Sequence, residues 1–448
     1  MTLFKGFCIC GVFPRVCHVE RPALLHQSNM ETLFLDFVVE SCRAVWFNSA
    51  NFPKTEVGSG KSGAPVQTLE NLEMKKTLVA IAALAAFGAQ AQSSVQIIGT
   101  MDAGYQAIDY KGTSVTGFNG NGSSTSGFKF LGTEDLGGGL KASFIVGTDW
   151  NVVSRSANTG AATATTAGDA SATTGTFGNG ELSTGLSGKF GAVTIGHLAF
   201  NTLTTTGTGQ PFGTAIGGGY GSIYRVNAAA SLVRDDNAFR YLTPTFSGFT
   251  GSFYKSNKQT KTGTGVAADT NFNAALGAYD KLGSQEIGVN YANGPLAASY
   301  SSLKQDSKSV GAGVTESTVN TLGANYTMGA AKFMFLNQTN KNTGAATTAT
   351  TVDTAYTALS ATYTMGQTVL MATTGSLKAK AGDFNGKKST ITGLGADYNL
   401  SKMTALYARY ESIKDEAGVI SAAGNGNFTK AAGNDTRTRT AVGVRYNF

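Results

Sequence analysis

Apolar and polar positions alternate in many stretches of this 448-residue chain, and the pattern is clearest in residues 441–448. Val442, Val444, Tyr446 and Phe448 occupy every second position there, with small or polar residues between them. A period of two predicts a β-strand with one apolar face, because successive side chains in a strand point to opposite faces of the sheet. This strand therefore carries its aromatic and aliphatic side chains on a single face.

Seven clusters of turn-forming residues divide the chain after residue 94 into alternating segments of about ten residues, the length of a tilted membrane strand. The clusters lie at 134–139, 187–191, 243–248, 293–295, 328–329, 365–366 and 400–402. Longer polar connections lie at about 106–124, 151–179, 198–235, 256–283, 305–316, 340–352, 379–388 and 414–436. Seven short turns, together with a first strand at 95–105 that pairs with the last, predict sixteen strands. We therefore predict an all-β fold, a transmembrane antiparallel β-barrel with short turns at one end and long loops at the other.

Tyrosines recur where predicted strands end at short turns. Tyr291, Tyr326, Tyr363 and Tyr398 are separated by 35, 37 and 35 residues. A repeat of this length also occurs in solenoids and propellers, but a unit of strand, long loop, strand and turn explains it better. We expect an aromatic girdle at one membrane interface, and a stacking track for sugars is the alternative. The predicted girdle comprises Tyr291, Tyr326, Tyr363, Tyr398, Tyr446 and Phe448.

A segment near residue 80 has the order of features found in secretory signal peptides. Basic residues follow Met74, an apolar run covers 78–86, and Ala89-Gln-Ala91 provides a small-residue cleavage site. We predict a signal peptide at 74–91, cleaved after Ala91, and a mature barrel domain at 92–448. Residues 1–73 are expected to be a mis-assigned, unstructured upstream leader, and a genuine N-terminal extension is the alternative.

The charge of the predicted mature region is mild. After Ala91 the chain keeps 27 of its 35 lysines and arginines and 21 of its 28 acidic residues, a net charge of +6 without a basic run. This pattern does not favour a nucleic-acid partner. All four cysteines precede residue 74, which suits export to an oxidising compartment and favours no metal site. The region after Ala91 contains one histidine and no Gly-x-Ser-x-Gly motif, which gives no basis for an enzyme. No cofactor is expected.

Six stretches in order resemble the trimeric general porins of Gram-negative outer membranes. They are 132–142 (GTEDLGGGLKA), 185–196 (GLSGKFGAVTIG), 234–249 (RDDNAFRYLTPTFSGF), 293–296 (NGPL), 398–407 and the last strand. The resemblance covers nearly all of 92–448. It implies a sixteen-stranded barrel, a homotrimer, and passive diffusion of small hydrophilic solutes. It also implies that the long third loop, residues 198–235, folds into the lumen, where wall bases face acids on the loop.

The chain departs from that family pattern at the predicted constriction. Arg234 matches one wall arginine, whereas His197, Gly127 and Thr100 stand where further basic residues are usual or occasional. No Asp or Glu occurs between residues 198 and 234, and 210–213 (QPFG) resembles the usual turn of the loop without its acid. We therefore expect the third loop to limit pore size without a strong crossed electric field.

Strand alternation, together with the third loop, predicts which basic residues line the pore. A charge that faces lipid near the midplane costs about 2–4 kcal/mol, so the lumen is the expected side. The predicted pore-lining and constriction residues are Arg234, Arg225, His197, Arg240, Lys129, Lys141, Arg409, Arg437, Arg439 and Arg445. They would either raise the local anion concentration or serve only as solvated or salt-bridged wall residues. His197 shares strand parity with Ile195, which would point it toward lipid, but it lies where the strand runs into the loop and parity often breaks there. It is therefore either a titrating gate or a plain polar residue at the base of the loop.

The sequence thus predicts an outer-membrane general diffusion porin with a mild anion preference. Its expected partners are two further copies in a homotrimer, outer-membrane lipid, the barrel-assembly machinery through the C-terminal strand, and small anions and hydrophilic solutes. A substrate-specific porin for a sugar or an organic acid is the alternative within this class. A soluble β-rich adhesin is the alternative outside it.

Overall fold

The computed structural model describes most of the chain from Ser93 onward. The described residues are 93–110, 113–153, 178–219, 233–261, 279–308, 314–344, 353–381, 385–415 and 435–448. The predicted signal peptide with its cleavage residues Ala89 and Ala91, the predicted leader, and Arg225 lie outside the described residues.

Antiparallel strands make up almost all of the described chain. They are β1 (Ser94–Tyr110), β2 (Thr113–Asn119), β3 (Gly127–Gly137), β4 (Leu140–Asp149), β5 (Leu182–Gly188), β6 (Gly191–Ala199), β7 (Arg234–Leu242), β8 (Phe249–Lys261), β9 (Tyr279–Asn293), β10 (Leu296–Lys308), β11 (Val314–Met328), β12 (Ala331–Gly344), β13 (Asp353–Met365), β14 (Thr368–Ala379), β15 (Lys388–Asn399), β16 (Thr404–Asp415) and β17 (Asp435–Asn447). The helix α1 (Asn201–Gly209) lies between β6 and β7. No helix in the described ranges is long and apolar enough to cross a bilayer.

The sheet closes on itself. Each strand from β3 to β17 pairs with the next, and β1 pairs with β17 in register from Thr100↔Asn447 to Tyr110↔Arg437. Reciprocal backbone hydrogen bonds between Gly99 and Phe448, 2.8 and 3.0 Å long, extend this seam. The predicted closed antiparallel barrel is therefore confirmed.

The barrel wall has sixteen strand positions, as predicted, although seventeen strands are described. On one side, β1 pairs with β3 over residues 94–100 and with β2 over residues 104–110, so β2 and β3 share one position in the wall. The predicted first strand at 95–105 and connection at about 106–124 were wrong in their boundaries. Residues 104–110 and 113–119 pair with each other, and cross-strand contacts stabilise the pairing, among them an edge-to-face contact of Tyr105 with Phe118.

The short turns lie where the turn clusters predict them. Two-residue loops join β11 to β12 and β13 to β14. Gly329 and Gly366 hold the first position of these loops with φ of 58° and 56°. A type II′ hairpin turn needs a positive φ at that position, which favours glycine.

The two faces of the wall differ in the way that the alternation predicts. Ile287, Tyr300, Leu322 and Leu359 are exposed large apolar side chains on the outer face. Their chain neighbours on the other face are buried, and many of those are polar. We call this second face the inner wall. An apolar outside with a polar inside is the arrangement of a barrel that crosses a membrane.

The described part of the third loop packs against the inner wall. Thr202 bonds Ser301 of β10, and the Nδ2 of Asn325 on β11 donates to the Thr208 carbonyl over 2.9 Å. Gly323 of β11 makes room for the helix, because a Cβ at this residue would lie 2.1 Å from the Thr205 carbonyl oxygen. The loop then continues toward β15 and β16.

Candidate functional site: the inner wall and the segments on it

Strand β17 carries two deeply buried basic side chains of the inner wall. Arg437 and Arg439 on β17 both donate to Oε1 of Glu411 on β16, at 2.9 and 2.7 Å. The side chains of Arg437 and Glu411 are fully buried. Arg437 and Glu411 form a pair that water cannot reach, and Arg439, whose side chain is 9% exposed, shares the same carboxylate. These two predicted pore-lining arginines thus lie within the wall with little or no exposed surface.

A second pair of arginines lies beside Asp397 of β15. The Nη2 of Arg409 lies 2.7 Å from Oδ1 of Asp397, and the Nη2 of Arg445 lies 3.4 Å from Oδ2. The Arg409 guanidinium also lies 5.9 Å from the ring centre of Phe212, which belongs to the third loop. Because Arg409 is almost fully buried and Arg445 is partly exposed, only Arg445 presents its charge to the lumen.

A third group of basic residues lies on β3 and β7. The Nη1 of Arg234 lies 3.1 Å from Oδ2 of Asp149. Arg240 and Lys129 share Glu181, at distances of 3.3 and 4.0 Å between nitrogen and oxygen. The structure therefore brings Lys129, Arg234 and Arg240 to one region of the inner wall.

In these partly exposed pairs the base is more accessible than its acid. The relative side-chain exposures are 39% and 12% for Lys129 and Glu181, and 23% and 10% for Arg445 and Asp397. Arg240 is 22% exposed against the same 12% of Glu181, and Arg234 is 22% exposed against 18% for Asp149. Within these four pairs of the described chain, more of each basic side chain than of its acidic partner is thus open to water.

His197 does not join the arginines. Its cross-strand neighbour is Leu182, an exposed outer-face residue, and its ring lies 2.8 Å from Oδ1 of Asp236. The register of β6 and β7 shifts between Gly196 and Leu198, so a bulge separates His197 from the inner-wall residues that follow it. The outer-face parity read from the sequence thus persists, and a place in the constriction is not supported.

Lys141 lies apart from the constriction as well. It is exposed on β4 and pairs with Asp135 and Ser187 in the strand register, close to the short turns.

A wall carboxylate holds the start of helix α1. Phe200 stands at its N-cap without a capping side chain. Glu286 of β9 replaces the cap by accepting hydrogen bonds from the backbone N–H of Asn201 and Thr202 and from the Thr202 hydroxyl. A negative charge at a helix N-terminus is favourable, because the first N–H groups have no intrahelical partner and the helix dipole is positive there.

A second carboxylate holds the far end of the described loop. The backbone N–H groups of Gly217 and Gly219 donate to Oε2 of Glu411 over 3.0 and 3.1 Å. The loop lies so close to the wall that a Cβ on Gly393 would come within 1.9 Å of the Gly217 carbonyl oxygen. The described part of the third loop thus has no acid of its own, and Glu286 and Glu411 of the wall bind its backbone N–H groups.

These carboxylates are the site residues that sequence reasoning missed. Asp397 and Glu411 lie at inner-wall positions of their strands, and so does Glu286. The same alternation that pointed to the arginines therefore contained a signal for the acids. Their partners could not be read from it, because Glu286 and Asn201 lie 85 positions apart in the chain.

The predicted girdle residues lie on the outside of the barrel, close to the short turns. Tyr326, Tyr363, Tyr398, Tyr446 and Phe448 are exposed large apolar residues, and each lies at the end of the barrel where the short turns are. Tyr291 is partly exposed and packs on Phe249, 4.5 Å between ring centres.

Comparison with known proteins agrees with this architecture. Residues 77–418 match the Gram-negative porin family. The chain is 32% identical over 406 residues to outer membrane porin protein 32 of Delftia acidovorans, covering 84% of this chain and all of that one. It is 32% identical over 254 residues to an outer membrane porin protein of Bordetella pertussis, covering 51% of this chain and 60% of that one.

Solved structures have the same fold. An anion-selective porin from Comamonas acidovorans superposes with a TM-score of 0.61 at 27% identity, over 80% of this chain and all of that one. The trimer form of OmpT from Vibrio cholerae gives a TM-score of 0.55 at 13% identity, over 80% of this chain and 99% of that one, which is a likeness of fold alone. The closed barrel, the polar inner wall and the family match lead to one conclusion: this chain belongs to the Gram-negative porin family and is an outer-membrane porin.

Proposed function

We propose that this porin is a general diffusion channel for small hydrophilic solutes and ions and that it prefers anions. Barrels of sixteen strands enclose an aqueous channel, whereas eight-stranded barrels fill with side chains. Flow through such a channel follows the solute gradient, and the proposal assigns no catalytic residue and no cofactor. The third loop, held against the inner wall by Glu286 and Glu411, would limit the size of the solutes that pass.

The observation that carries the anion preference is the unequal exposure within the wall ion pairs. Lys129, Arg240 and Arg445 are each about two to three times as exposed as their acidic partners. A low-dielectric wall focuses the field of accessible charges and raises the local concentration of the opposite ion. The similarity to an anion-selective porin supports the same sign.

The outer face supports the proposed partners. The six predicted girdle residues would lie in the interfacial layer of the outer membrane, and the apolar band above them would meet lipid. A homotrimer is proposed because the resemblance implies it. We also propose that the barrel-assembly machinery binds the C-terminal strand, whose Tyr446 and Phe448 are exposed on the outer face.

A reversal-potential measurement across a planar bilayer under an asymmetric KCl gradient tests the preference. We expect wild-type porin to show large conductance steps and a reversal potential on the anion side. Lys129→Gln should move that potential toward zero, because it removes the most accessible charge of the wall pairs. Lys402→Gln removes the same charge from an exposed position in a short turn and should change nothing. A cation-selective wild type would overturn the charge argument, and absent conductance would overturn the channel itself.

A further inference from the structure

The chain between β2 and β3 folds against the inner wall. Residues 120–126 connect β2 to β3 and contact Asp102 of β1. One carboxylate oxygen of Asp102 accepts hydrogen bonds from the backbone N–H of Ser123 and Ser124, 2.7 and 2.6 Å long. The Ser126 hydroxyl accepts from the Asp102 N–H over 2.8 Å. Asp102 is fully buried, so its carboxylate contacts this segment and the adjacent wall and does not contact water.

The same segment contacts two arginines on the inner wall. The Ser123 hydroxyl oxygen accepts from Nη2 of Arg409 at 2.8 Å and from Nη1 of Arg445 at 3.0 Å. Gly122 lies directly against Tyr407, since a Cβ on Gly122 would come 2.4 Å from the tyrosine hydroxyl. Because Tyr407, Arg409 and Arg445 all belong to the inner wall, residues 120–126 lie on the lumen side of β16 and β17.

The segment also reaches the third loop. The N–H of Ile216 donates to the Gly122 carbonyl over 3.4 Å, and the hydroxyl oxygens of Thr125 and Thr214 lie 3.2 Å apart. Residues 120–126 and the third loop thus form one continuous layer on this part of the inner wall. A layer of two segments occupies more of the lumen cross-section than the third loop alone.

We propose that residues 120–126 are a second constriction element, and that Ser123 positions Arg445 at the lumen. The proposal rests on the channel function proposed above. The serine hydroxyl is a neutral acceptor, so it fixes the direction of the guanidinium group and leaves its charge intact. Asp397, the other partner of Arg445, is an acid and screens that charge. Ser123 is therefore a positioning residue for anion preference, and the backbone around it limits the open area.

A disulfide tests the placement of the segment. In the full chain with Cys8, Cys10, Cys17 and Cys42 changed to serine, Thr125→Cys and Thr214→Cys are introduced together. The two hydroxyl oxygens lie 3.2 Å apart, so the side chains meet and their Cβ atoms are at most about 6 Å apart; a small adjustment then brings the cysteines into disulfide geometry, and we expect oxidation to link the pair in the membrane. Failure of this pair to form a disulfide would overturn the placement. Thr125→Cys with Thr116→Cys, on β2, is the control pair and should remain unlinked.

Conductance tests the function of the segment. Gly122→Val would clash with Tyr407 and displace residues 120–126, so we expect single-channel conductance to rise by about 1.5-fold, since flow follows the open pore radius. Ala361→Val, on the outer face of β13 between the exposed side chains of Leu359 and Tyr363, is the control and should leave conductance unchanged.

Ser123→Ala keeps the backbone and removes only the hydroxyl acceptor. We expect nearly wild-type conductance with a reversal potential shifted toward zero, because the Arg445 head turns toward Asp397. A wild type that conducts while both Gly122→Val and Ser123→Ala behave like it would overturn this inference and leave the channel function standing. A wild type without conductance would instead refute the channel function.

Discussion

The attachment of helix α1 to a single wall carboxylate makes Glu286→Gln the most informative substitution. Glu286 is almost fully buried and accepts two backbone N–H groups and one hydroxyl from the first two residues of the helix. Glutamine has nearly the same shape but only one acceptor oxygen. Its amide N–H₂ group would face a backbone N–H, so at least one hydrogen bond is replaced by two opposed donors.

The magnitude follows from the bonds lost. A hydrogen bond to a charged group contributes about 1.5–3 kcal/mol, and an anion at a helix N-terminus contributes about 0.3–1 kcal/mol more. We therefore expect the docking of α1 on the wall to weaken by roughly 2–4 kcal/mol. Since 1.4 kcal/mol is a factor of ten, the equilibrium for local opening should rise by about 30- to 700-fold.

Amide hydrogen exchange across residues 201–209, read by mass spectrometry on the porin in micelles, measures this opening. Exchange in α1 should accelerate by the stated factor while the strands β9 to β12 keep their protection. Glu316→Gln, at an exposed position of β11, is the control and should leave α1 unchanged. Unaltered exchange of α1 in Glu286→Gln would show that the other contacts of the helix, such as Thr202 with Ser301 and Asn325 with Thr208, hold it without the carboxylate, and would refute the argument.

Two further predictions concern the wall itself. Gly323→Ala places a Cβ 2.1 Å from the Thr205 carbonyl oxygen, so α1 must move away from β11. Because the helix is then held less firmly, single-channel recordings should show larger open-state noise than wild type. Equal noise would contradict the close approach of helix and strand. Leu359→Arg puts a charge on the outer face far from the turn and should cost about 2–4 kcal/mol of folding free energy in lipid vesicles, whereas Met365→Arg, on the same face of β13 beside the turn, should cost about 0–1 kcal/mol. Urea titration of folding into vesicles measures both, and equal costs would refute the placement of the lipid-facing band.

The strands and short turns were predictable because their signals are local. Alternation indicates which face of a strand meets an apolar environment, and a glycine such as Gly329 or Gly366 indicates a positive φ within one turn. The hairpin formed by β1 and β2 was missed for a related reason. The strand character of residues 113–119 comes from pairing with β1, which a short window does not contain.

The site was predictable only in part. The family resemblance pointed to Arg234, which a register shift in β7 separates from Arg240. Alternation put Lys129 and Arg240 on the lumen face, because the face of a side chain follows from strand parity. It left open whether each arginine would be accessible or paired. Arg437 and Arg445 stand on the same strand and the same face, yet one is fully buried and the other is partly exposed.

The sequence by itself determined the architecture of this porin: the closed antiparallel barrel, its sixteen wall positions, the apolar outer face and an acid-free third loop. Each of these depends on residue types at short, regular spacings. The tertiary structure alone decided which carboxylate meets which arginine, and that Asp102, Glu286 and Glu411 hold the inward segments by their backbone N–H groups. Closing the barrel brings together residues as distant in the chain as Ser123 and Arg445, and the contacts between them determine how much charge and how much open space the lumen retains.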